Sequence, residues 1–361
     1  MSEIGLKKEE IDTPALLIDL DVMEKNLSTM RDFFKGKKAN LWAHTKVHKS
    51  PVLALRQLEM GAKGICCQKV SEAEVMAHGG IDCIIVTNPI VTPQKIDRLV
   101  ALNEQVELRV IVDSSSNAES LSKAAAEHGT KLNTLMEVQL GANRCGVELG
   151  ESALSLARTI SNLKGLTLAG LLGFEGGVWQ LEPREKRRAE AERLYGEMLH
   201  TAGLIEEAGM GLQEISVGIT STYDAAASTP GITDVRAGSY ILMDSAHHKY
   251  VPEFECGLTV LSTVISRPGE DRIVTDAGVT SFSVEEGIPE VVGMYGAEVM
   301  GLFAENTVLR VKKNEKVHIG DKVEFIPSYL DGTINYHTKY HAMRNNKVES
   351  VIEIAARGTV H

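Results

Sequence analysis

The residues His44-Thr45-Lys46-Val47-His48-Lys49 stand at a junction between two sequence patterns, and this junction decides the fold. They close a short apolar run, residues 39–43, that predicts a buried strand. Directly after them, Ser50-Pro51 opens a helical pattern, because serine before a helix and proline in its first turn are typical start signals. Lys46 is therefore expected at the carboxyl end of a strand, where an α/β barrel keeps its reactive groups.

The same alternation of strand and helix continues to about residue 245. Helical patterns such as residues 71–77 and 114–128 separate apolar runs of strand length. Eight strand–helix units predict a (β/α)8 TIM-type barrel rather than an open doubly wound sheet, which usually has fewer strands. The predicted strands are residues 39–46, 64–68, 83–88, 107–113, 134–139, 166–174, 215–220 and 235–243.

The chain changes character after residue 255. Residues 258–266 are rich in β-branched side chains, and several short strand-like segments punctuated by glycine follow them. The sequence therefore predicts a C-terminal all-β domain after the α/β barrel. We place an N-terminal segment that packs with the β domain at residues 1–15, the barrel at residues 16–250 and the β domain at residues 251–361.

Composition and charge exclude several classes of function. The 361 residues carry a formal net charge of -11, so nucleic acid and anionic membranes are not expected as partners. The local basic run at residues 184–188 is interleaved with glutamate in a helical pattern, which predicts a solvated helix face. The absence of a signal-peptide pattern or a run of transmembrane length predicts a cytoplasmic protein. Five cysteines without zinc-site spacing fit reduced thiols there.

Lys46 is a candidate for a Schiff base with pyridoxal phosphate, because a desolvated lysine can lose its charge and act as a nucleophile. The alternative for this peptide taken alone is a basic loop in solvent. Two segments favour the cofactor: residues 218–223 follow the seventh predicted strand, and residues 238–240 fall within the eighth. Barrels often hold phosphate in the loops after these two strands, with glycine, serine and threonine as donors.

A further candidate is Arg144, which ends the fifth predicted strand in the stretch Gly141–Val147. Its guanidinium group is a candidate for contact with the ring of the cofactor. The alternative is a salt bridge at the rim of the barrel.

In their order along the chain, these motifs resemble the fold-type III pyridoxal-phosphate enzymes of the D-threonine aldolase and D-serine dehydratase group. The resemblance implies an alanine-racemase-like barrel followed by a β domain. It also implies a homodimer in which the β domain of one subunit lies against the barrel of the other, with the active site near the interface. The matching stretches cover nearly the whole chain and are residues 12–15, 44–51, 67–74, 143–147, 218–223, 237–240, 276–278 and 355–358.

By this resemblance Lys46 is the Schiff-base lysine. The residues implied at the cofactor are Gln68, Arg144, Phe174, Gly218, Ile219, Thr220, Ser221, Gly238, Ser239 and Tyr240. The substrate implied is a small-molecule amino acid.

The chain departs from the family pattern at several positions. Trp42-Ala43 replaces Arg-Pro before the first motif histidine, and Phe174–Gly177 reads Phe-Glu-Gly-Gly where the family has Tyr-Glu-Gly-His. The family binds a divalent metal near the C-terminus through Pro-x-His-x-Asp or Pro-x-His-x-Cys, but residues 327–331 read Pro-Ser-Tyr-Leu-Asp and Asn306 stands for a loop histidine. Asp331 alone is a poor site for a divalent ion.

The resemblance implies an enzyme that acts on D-amino acids or β-hydroxy amino acids, with a carbon–carbon lyase of the aldolase type as the leading hypothesis. One alternative is a racemase or epimerase in which Tyr329 is a second base opposite Lys46. A D-hydroxyamino-acid dehydratase is another, and a non-catalytic carrier of the cofactor is a third that the long β domain disfavours. The metal of the family helps to acidify the substrate hydroxyl group, so its loss would leave proton transfer or substrate orientation to Tyr329.

Overall fold

The computed structural model describes residues 3–313 and 315–361, and these form two compact units. The first unit comprises residues 31–46, 51–238 and 359–361. The second comprises the described residues up to Met30, residues 47–50 and residues 239–358. The domain limits placed from the sequence at residues 15 and 250 stay a prediction.

Strands and helices alternate through the first part of the chain, and strands prevail after it. The strands are β1 (Ala15–Asp19), β2 (Asn40–His44), β3 (Gly64–Cys67), β4 (Cys83–Pro89), β5 (Glu107–Val112), β6 (Leu132–Gln139), β7 (Leu166–Phe174), β8 (Glu214–Val217), β9 (Asp234–Ala237), β10 (Leu258–Gly269), β11 (Arg272–Thr275), β12 (Glu290–Val291), β13 (Glu298–Leu302), β14 (Thr307–Arg310), β15 (Lys322–Ile326), β16 (Lys339–Arg344) and β17 (Lys347–Glu353).

Of the ten helices among the described residues, α2 begins at Pro51, where the sequence places its start signal. They are α1 (Leu20–Phe34), α2 (Pro51–Glu59), α3 (Val70–His78), α4 (Pro93–Asn103), α5 (Ser115–Glu127), α6 (Glu151–Asn162), α7 (Arg184–Glu207), α8 (Tyr223–Ser228), α9 (Ser245–His248) and α10 (Leu330–Asn335). Short 3-10 turns lie at Lys8–Glu10, Thr45–Val47, Gly176–Gln180 and Ser239–Ile241. Within residues 3–313 and 315–361, no helix is both long and apolar enough to cross a bilayer.

The strands β2 to β9 form a closed parallel barrel in chain order. Closure is made by β2 against β9, where Leu41 lies opposite Val235 and Ala43 lies opposite Ala237. The core of the barrel is filled by Trp42, Cys66, Ile85, Ile111, Leu135, Ala169 and Leu172. The predicted (β/α)8 barrel is confirmed, and each of the eight predicted strand segments overlaps one of its strands.

Two candidate residues expected at strand ends lie beyond the barrel strands instead. β2 ends at His44, so Lys46 lies in the turn after the strand. β6 ends at Gln139, so Arg144 lies in the loop that follows β6 rather than at its end. Both side chains still belong to the carboxyl rim of the barrel.

The prediction that residues 238–240 lie within the eighth barrel strand is wrong, because β9 ends at Ala237. The amide of Gly238 donates to Thr220 Oγ1 at 3.2 Å. The amide of Met243 donates to the carbonyl of Ser239 at 2.7 Å, which closes a turn. The apolar residues after Ser239 suggested a strand, but they are buried in this turn instead.

The second unit is built on a nine-stranded sheet in which β13, β14, β11, β10, β1, β16 and β17 are successive neighbours. β15 pairs with β10 and β12 beside this path. The N-terminal strand β1 is parallel to β16 and antiparallel to β10. The predicted C-terminal β domain is confirmed as a mostly-β unit, with α10 as a short helix inside it.

Candidate active site

Lys46 lies half-buried in the turn Thr45–Val47, directly after β2. Its amide is 3.5 Å from Nδ1 of His44, and Nε2 of the same imidazole is 3.3 Å from Thr87 Oγ1. The Thr87 hydroxyl donates to Gln68 Oε1 at 2.6 Å. The carboxyl ends of β2, β3 and β4 thus join Lys46 and Gln68 in one hydrogen-bonded group. Thr87 and His44 belong to this group although no motif assigned them to the cofactor.

The loops after β8 and β9 form the predicted phosphate cradle. Gly218 has a φ of +90°, and a Cβ on it would lie 2.9 Å from Val235 Cγ1, so only glycine suits this position. Thr220 Oγ1 accepts the amide of Gly238, which ties the two loops together. The Ile219 amide donates to Thr222 Oγ1 at 3.1 Å and is therefore used inside the loop.

The Ser221 side chain indicates that this loop is suited to binding an anion. Its Oγ is buried and has no hydrogen-bond partner among the residues that the structure describes. A buried hydroxyl without a partner is costly, and native structures rarely keep one without a reason. A phosphate oxygen would satisfy it, so the residues of the cradle fit a phosphate-bearing cofactor.

A buried carboxylate that the motifs did not assign to the site holds this loop. Glu175 is 0% exposed and accepts hydrogen bonds from Tyr195 Oη at 2.6 Å, Thr222 Oγ1 at 2.6 Å and the Gly218 amide at 3.3 Å. Burial, followed by the nearby Glu175 carboxylate, raises the pKa of Tyr195 well above its usual value. The Tyr195 hydroxyl therefore keeps its proton and acts as a donor.

The prediction of a solvated face for residues 184–188 is wrong for Arg187. This side chain is 2% exposed and donates to the carbonyls of Ser221 and Leu181, each at 3.0 Å. The helix turns it toward the loop after β8, whereas Arg188 is half exposed. A signal was present in the sequence, since Arg187 shares a helical stripe with the buried residues Ala191, Leu194, Tyr195 and Met198.

Arg144 is held between an aromatic ring and a carboxylate. Its guanidinium carbon lies 4.8 Å from the centroid of the Phe174 ring, and Nη2 lies 3.9 Å from Glu137 Oε1. Glu137 is 2% exposed, its Oε2 has no partner in the described part of the chain, and burial raises its pKa. The rim salt bridge considered for Arg144 is thus present, and the stacking on Phe174 adds an orientation that a surface ion pair lacks.

Ser239 and Tyr240 follow Gly238 and begin the turn Ser239–Ile241. The Tyr240 ring is 1% exposed and lies 5.8 Å from the ring of Phe254. These two residues belong to the second unit, whereas Gly238 belongs to the first.

Tyr329 and Asp331 lie at the start of α10 in the second unit. The Tyr329 hydroxyl donates to Asp331 Oδ2 at 3.2 Å, and burial, followed by the Asp331 carboxylate, raises the pKa of Tyr329 well above its usual range. The Asn306 amide donates to the carbonyl of Thr275 at 3.2 Å. A neutral phenol and a single carboxylate are a poor donor set for a divalent ion. The described ranges contain no cluster of three His, Cys, Asp or Glu side chains placed to hold a metal.

Comparison with known proteins supplies the family. The family model described as alanine racemase, N-terminal domain, matches residues 18–246, and the model described as putative serine dehydratase domain matches residues 257–343. The chain is 35% identical over 353 residues to D-threonine aldolase from Arthrobacter sp, covering 96% of this chain and 93% of that protein. It is 34% identical over 365 residues to 3-hydroxy-D-aspartate aldolase from Paracoccus denitrificans (strain Pd 1222), covering 98% and 94%.

The crystal structure of D-threonine aldolase from Filomicrobium marinum matches with a TM-score of 0.96 at 31% identity, covering 100% of both chains. Less similar proteins that also match are named as dehydratases and alanine racemases. This chain belongs to the D-threonine aldolase and D-serine dehydratase family. Membership in that family confirms the resemblance seen in the motifs and identifies the chain as an enzyme.

Within the D-threonine aldolase and D-serine dehydratase fold, the structure brings part of the predicted site together. Lys46 and Gln68 share one hydrogen-bonded group, Arg144 stacks on Phe174, and the 218–221 loop meets Gly238. All of these residues belong to the first unit. Tyr329 and Asp331 contact each other in the second unit, so their predicted catalytic and metal-binding roles remain predictions.

Ser221→Ala tests whether the cradle binds phosphate. Because the hydroxyl has no partner among the described residues, its removal should leave the stability of the cofactor-free protein unchanged or slightly raised. Loss of one charge-assisted hydrogen bond of about 1.5–3 kcal/mol should weaken the affinity for pyridoxal phosphate by roughly ten- to a hundredfold. Urea unfolding and equilibrium dialysis measure the two quantities. An unchanged cofactor affinity would mean that the loop is an ordinary turn.

Proposed function

We propose that this chain is a pyridoxal-phosphate-dependent lyase that cleaves the Cα–Cβ bond of D-3-hydroxy amino acids, in the manner of a D-threonine aldolase. The observation that carries the proposal is the buried Ser221 Oγ, which has no hydrogen-bond acceptor among the described residues. It lies in a loop at the same rim of the barrel as Lys46. Relatives that match nearly the whole chain are named as aldolases, which favours bond cleavage over racemisation or dehydration.

The residues of the first unit divide the work of holding the cofactor. Lys46 would attach it covalently, while the hydroxyls and amides of Thr220 and Ser221 would hold the phosphate group. The cofactor supplies a conjugated ring that takes up the electron pair left on Cα when the bond breaks. Arg144 would keep a positive charge beside that ring, since its guanidinium group is oriented by Phe174 and Glu137.

Tyr329 is the residue that we propose for substrate orientation or proton transfer in the second unit. Its hydroxyl is half-buried and already donates to Asp331, so the phenol is held in one orientation. In the aldolase reaction the β-hydroxyl of the substrate must lose its proton as the carbonyl of the aldehyde forms. The Tyr329 oxygen would accept a hydrogen bond from this hydroxyl group and take up its proton while the proton of Tyr329 passes to Asp331.

Three further properties belong to the same proposal. The resemblance of the motifs to the family supports a homodimer with the active site near the interface. The charge of -11 supports small-molecule substrates rather than nucleic acid. The sequence pattern described above supports a cytoplasmic location.

The reaction type is tested by the products formed from a panel of D- and L-amino acids. We expect an aldehyde and glycine from D-3-hydroxy amino acids, with the L-enantiomers unreacted. Aldehyde, ammonia and keto-acid assays with chiral chromatography distinguish the outcomes. Ammonia and a keto acid would instead identify a dehydratase, and interconversion of enantiomers without an aldehyde would identify a racemase or epimerase.

The attachment site is tested by borohydride reduction of the cofactor-loaded protein followed by peptide mapping. We expect the label on Lys46, because it lies in the turn after β2 at the carboxyl rim of the barrel. The neighbouring Lys49 provides an internal control, since it belongs to the second unit, where it is buried and its carbonyl accepts the amide of Ala356. A label on Lys49, or none, contradicts the assignment.

The roles of Tyr329 and the metal are tested together. Tyr329→Phe removes the hydroxyl but keeps the ring, and we expect kcat to fall by about 10²-fold, as for loss of a general acid–base group. Tyr336→Phe is the matched control, because Tyr336 directly follows the same helix and is 50% exposed. We expect full activity after EDTA treatment. Stoichiometric metal with EDTA-sensitive activity, or wild-type kcat in Tyr329→Phe, would refute the role proposed for Tyr329.

A further inference from the structure

The Glu175 carboxylate binds both ends of the 218–222 loop but takes no direct part in the proposed reaction. It is 0% exposed, and a buried carboxylate is tolerated only when donors satisfy its oxygens. Three donors do so here: the hydroxyls of Tyr195 and Thr222 on Oε1 and the amide of Gly218 on Oε2. Two of these donors, Gly218 and Thr222, belong to the 218–222 loop.

We propose that Glu175 is a positioning residue that fixes the shape of the 218–222 loop and thereby sets the affinity of this chain for the phosphate group of its cofactor. The inference deepens the proposed function and rests on it. Glu175 itself would touch neither the phosphate group nor the substrate. It acts through the loop.

The two bonds from the loop are made by its first and last residues. The Gly218 amide binds one oxygen of the carboxylate and Thr222 Oγ1 binds the other, at 3.3 and 2.6 Å. Ile219, Thr220 and Ser221 are therefore the span between two fixed points. A loop that is already ordered loses less conformational freedom when it binds its ligand, so its affinity is higher.

Two further contacts make this arrangement rigid. Tyr195, which is fully buried in α7, donates to Glu175 and fixes the carboxylate itself. Arg187, two turns earlier in the same helix, donates to the carbonyl of Ser221 within the span. The helix α7 thus supports the loop at its ends through Glu175 and in its middle through Arg187.

A glutamine at position 175 has nearly the same shape but cannot satisfy the same donors. The carboxylate has two acceptor oxygens for three donors, whereas the amide has one oxygen and one NH2 group. If its oxygen faces Tyr195 and Thr222, the NH2 group faces the Gly218 amide, and two donors oppose each other. If the amide is flipped, the NH2 group faces the two hydroxyls instead. Either arrangement loosens one end of the loop.

The experiment compares two forms of the cofactor, pyridoxal phosphate and pyridoxal, which lacks the phosphate group. Dissociation constants for both are measured by equilibrium dialysis on the wild-type full chain, Glu175→Gln and Tyr195→Phe. We expect Glu175→Gln to weaken binding of pyridoxal phosphate by about tenfold or more while the affinity for pyridoxal changes less than about twofold. Tyr195→Phe keeps the carboxylate and should change the ratio of the two constants in the same direction by a smaller factor.

Glu214→Gln is the matched control for loss of a buried carboxylate in the barrel. Glu214 begins β8 at the end of the strand opposite to the loop and accepts from Arg109 at 2.7 Å. Glu214→Gln should lower stability without changing the ratio of the two dissociation constants. A purely structural role for Glu175 would weaken both ligands equally, and that result would overturn the inference.

The other possible results of this experiment also test the role of Glu175. An unchanged or raised affinity of Glu175→Gln for pyridoxal phosphate overturns the inference. Removing the negative charge of the carboxylate would then affect phosphate binding more than the loss of order in the loop does. If Glu175→Gln does not fold, the ratio measured on Tyr195→Phe decides alone, and an unchanged ratio overturns the inference. Wild-type protein that binds pyridoxal phosphate no better than pyridoxal would refute the proposed function itself, and this result is separate from those of the variants.

Discussion

Closure of the barrel by β2 against β9 is the constraint on which the candidate site depends. Because all eight strands are parallel and the ring is closed, their carboxyl ends share one rim. Lys46 follows β2, the 218–222 loop follows β8 and Gly238 follows β9, so closure makes residues from distant parts of the chain neighbours on that rim. An open sheet with the same strands would leave the first and last at opposite edges.

The buried polar groups at the two ends of the barrel differ in whether they have hydrogen-bond partners. Near the amino ends of the strands, Arg109 is paired with Glu214 at 2.7 Å, and the Trp42 indole donates to Asp234 at 2.7 Å. At the carboxyl rim, Ser221 Oγ and Glu137 Oε2 are buried without partners in the described residues. Satisfied polar groups stabilise a fold, whereas groups left without a partner at a barrel's carboxyl rim point to a ligand that completes them.

A polar network under the loop also explains how a site rich in glycine, serine and threonine keeps one conformation. Such residues have little apolar area to pack, so their order depends on hydrogen bonds from beneath. Glu175, Tyr195 and Arg187 provide these bonds from a strand end and a long helix. Rigid elements that carry the supporting groups place a binding loop more accurately than the loop's own contacts would.

The sequence by itself determined the fold class, the number of barrel strands and the family, because strand–helix alternation and ordered motifs are local patterns. It also made Lys46 and the 218–221 loop candidates for one site, since barrel geometry assigns the carboxyl ends of strands to one rim. It did not place the end of β9, because the apolar residues after Ser239 fit a buried turn as well as a strand. It did not assign Glu175 a role or show that Arg187 is buried. A buried charge is explained only by its partners, and those partners come from segments far apart in the chain that only the tertiary structure brings together.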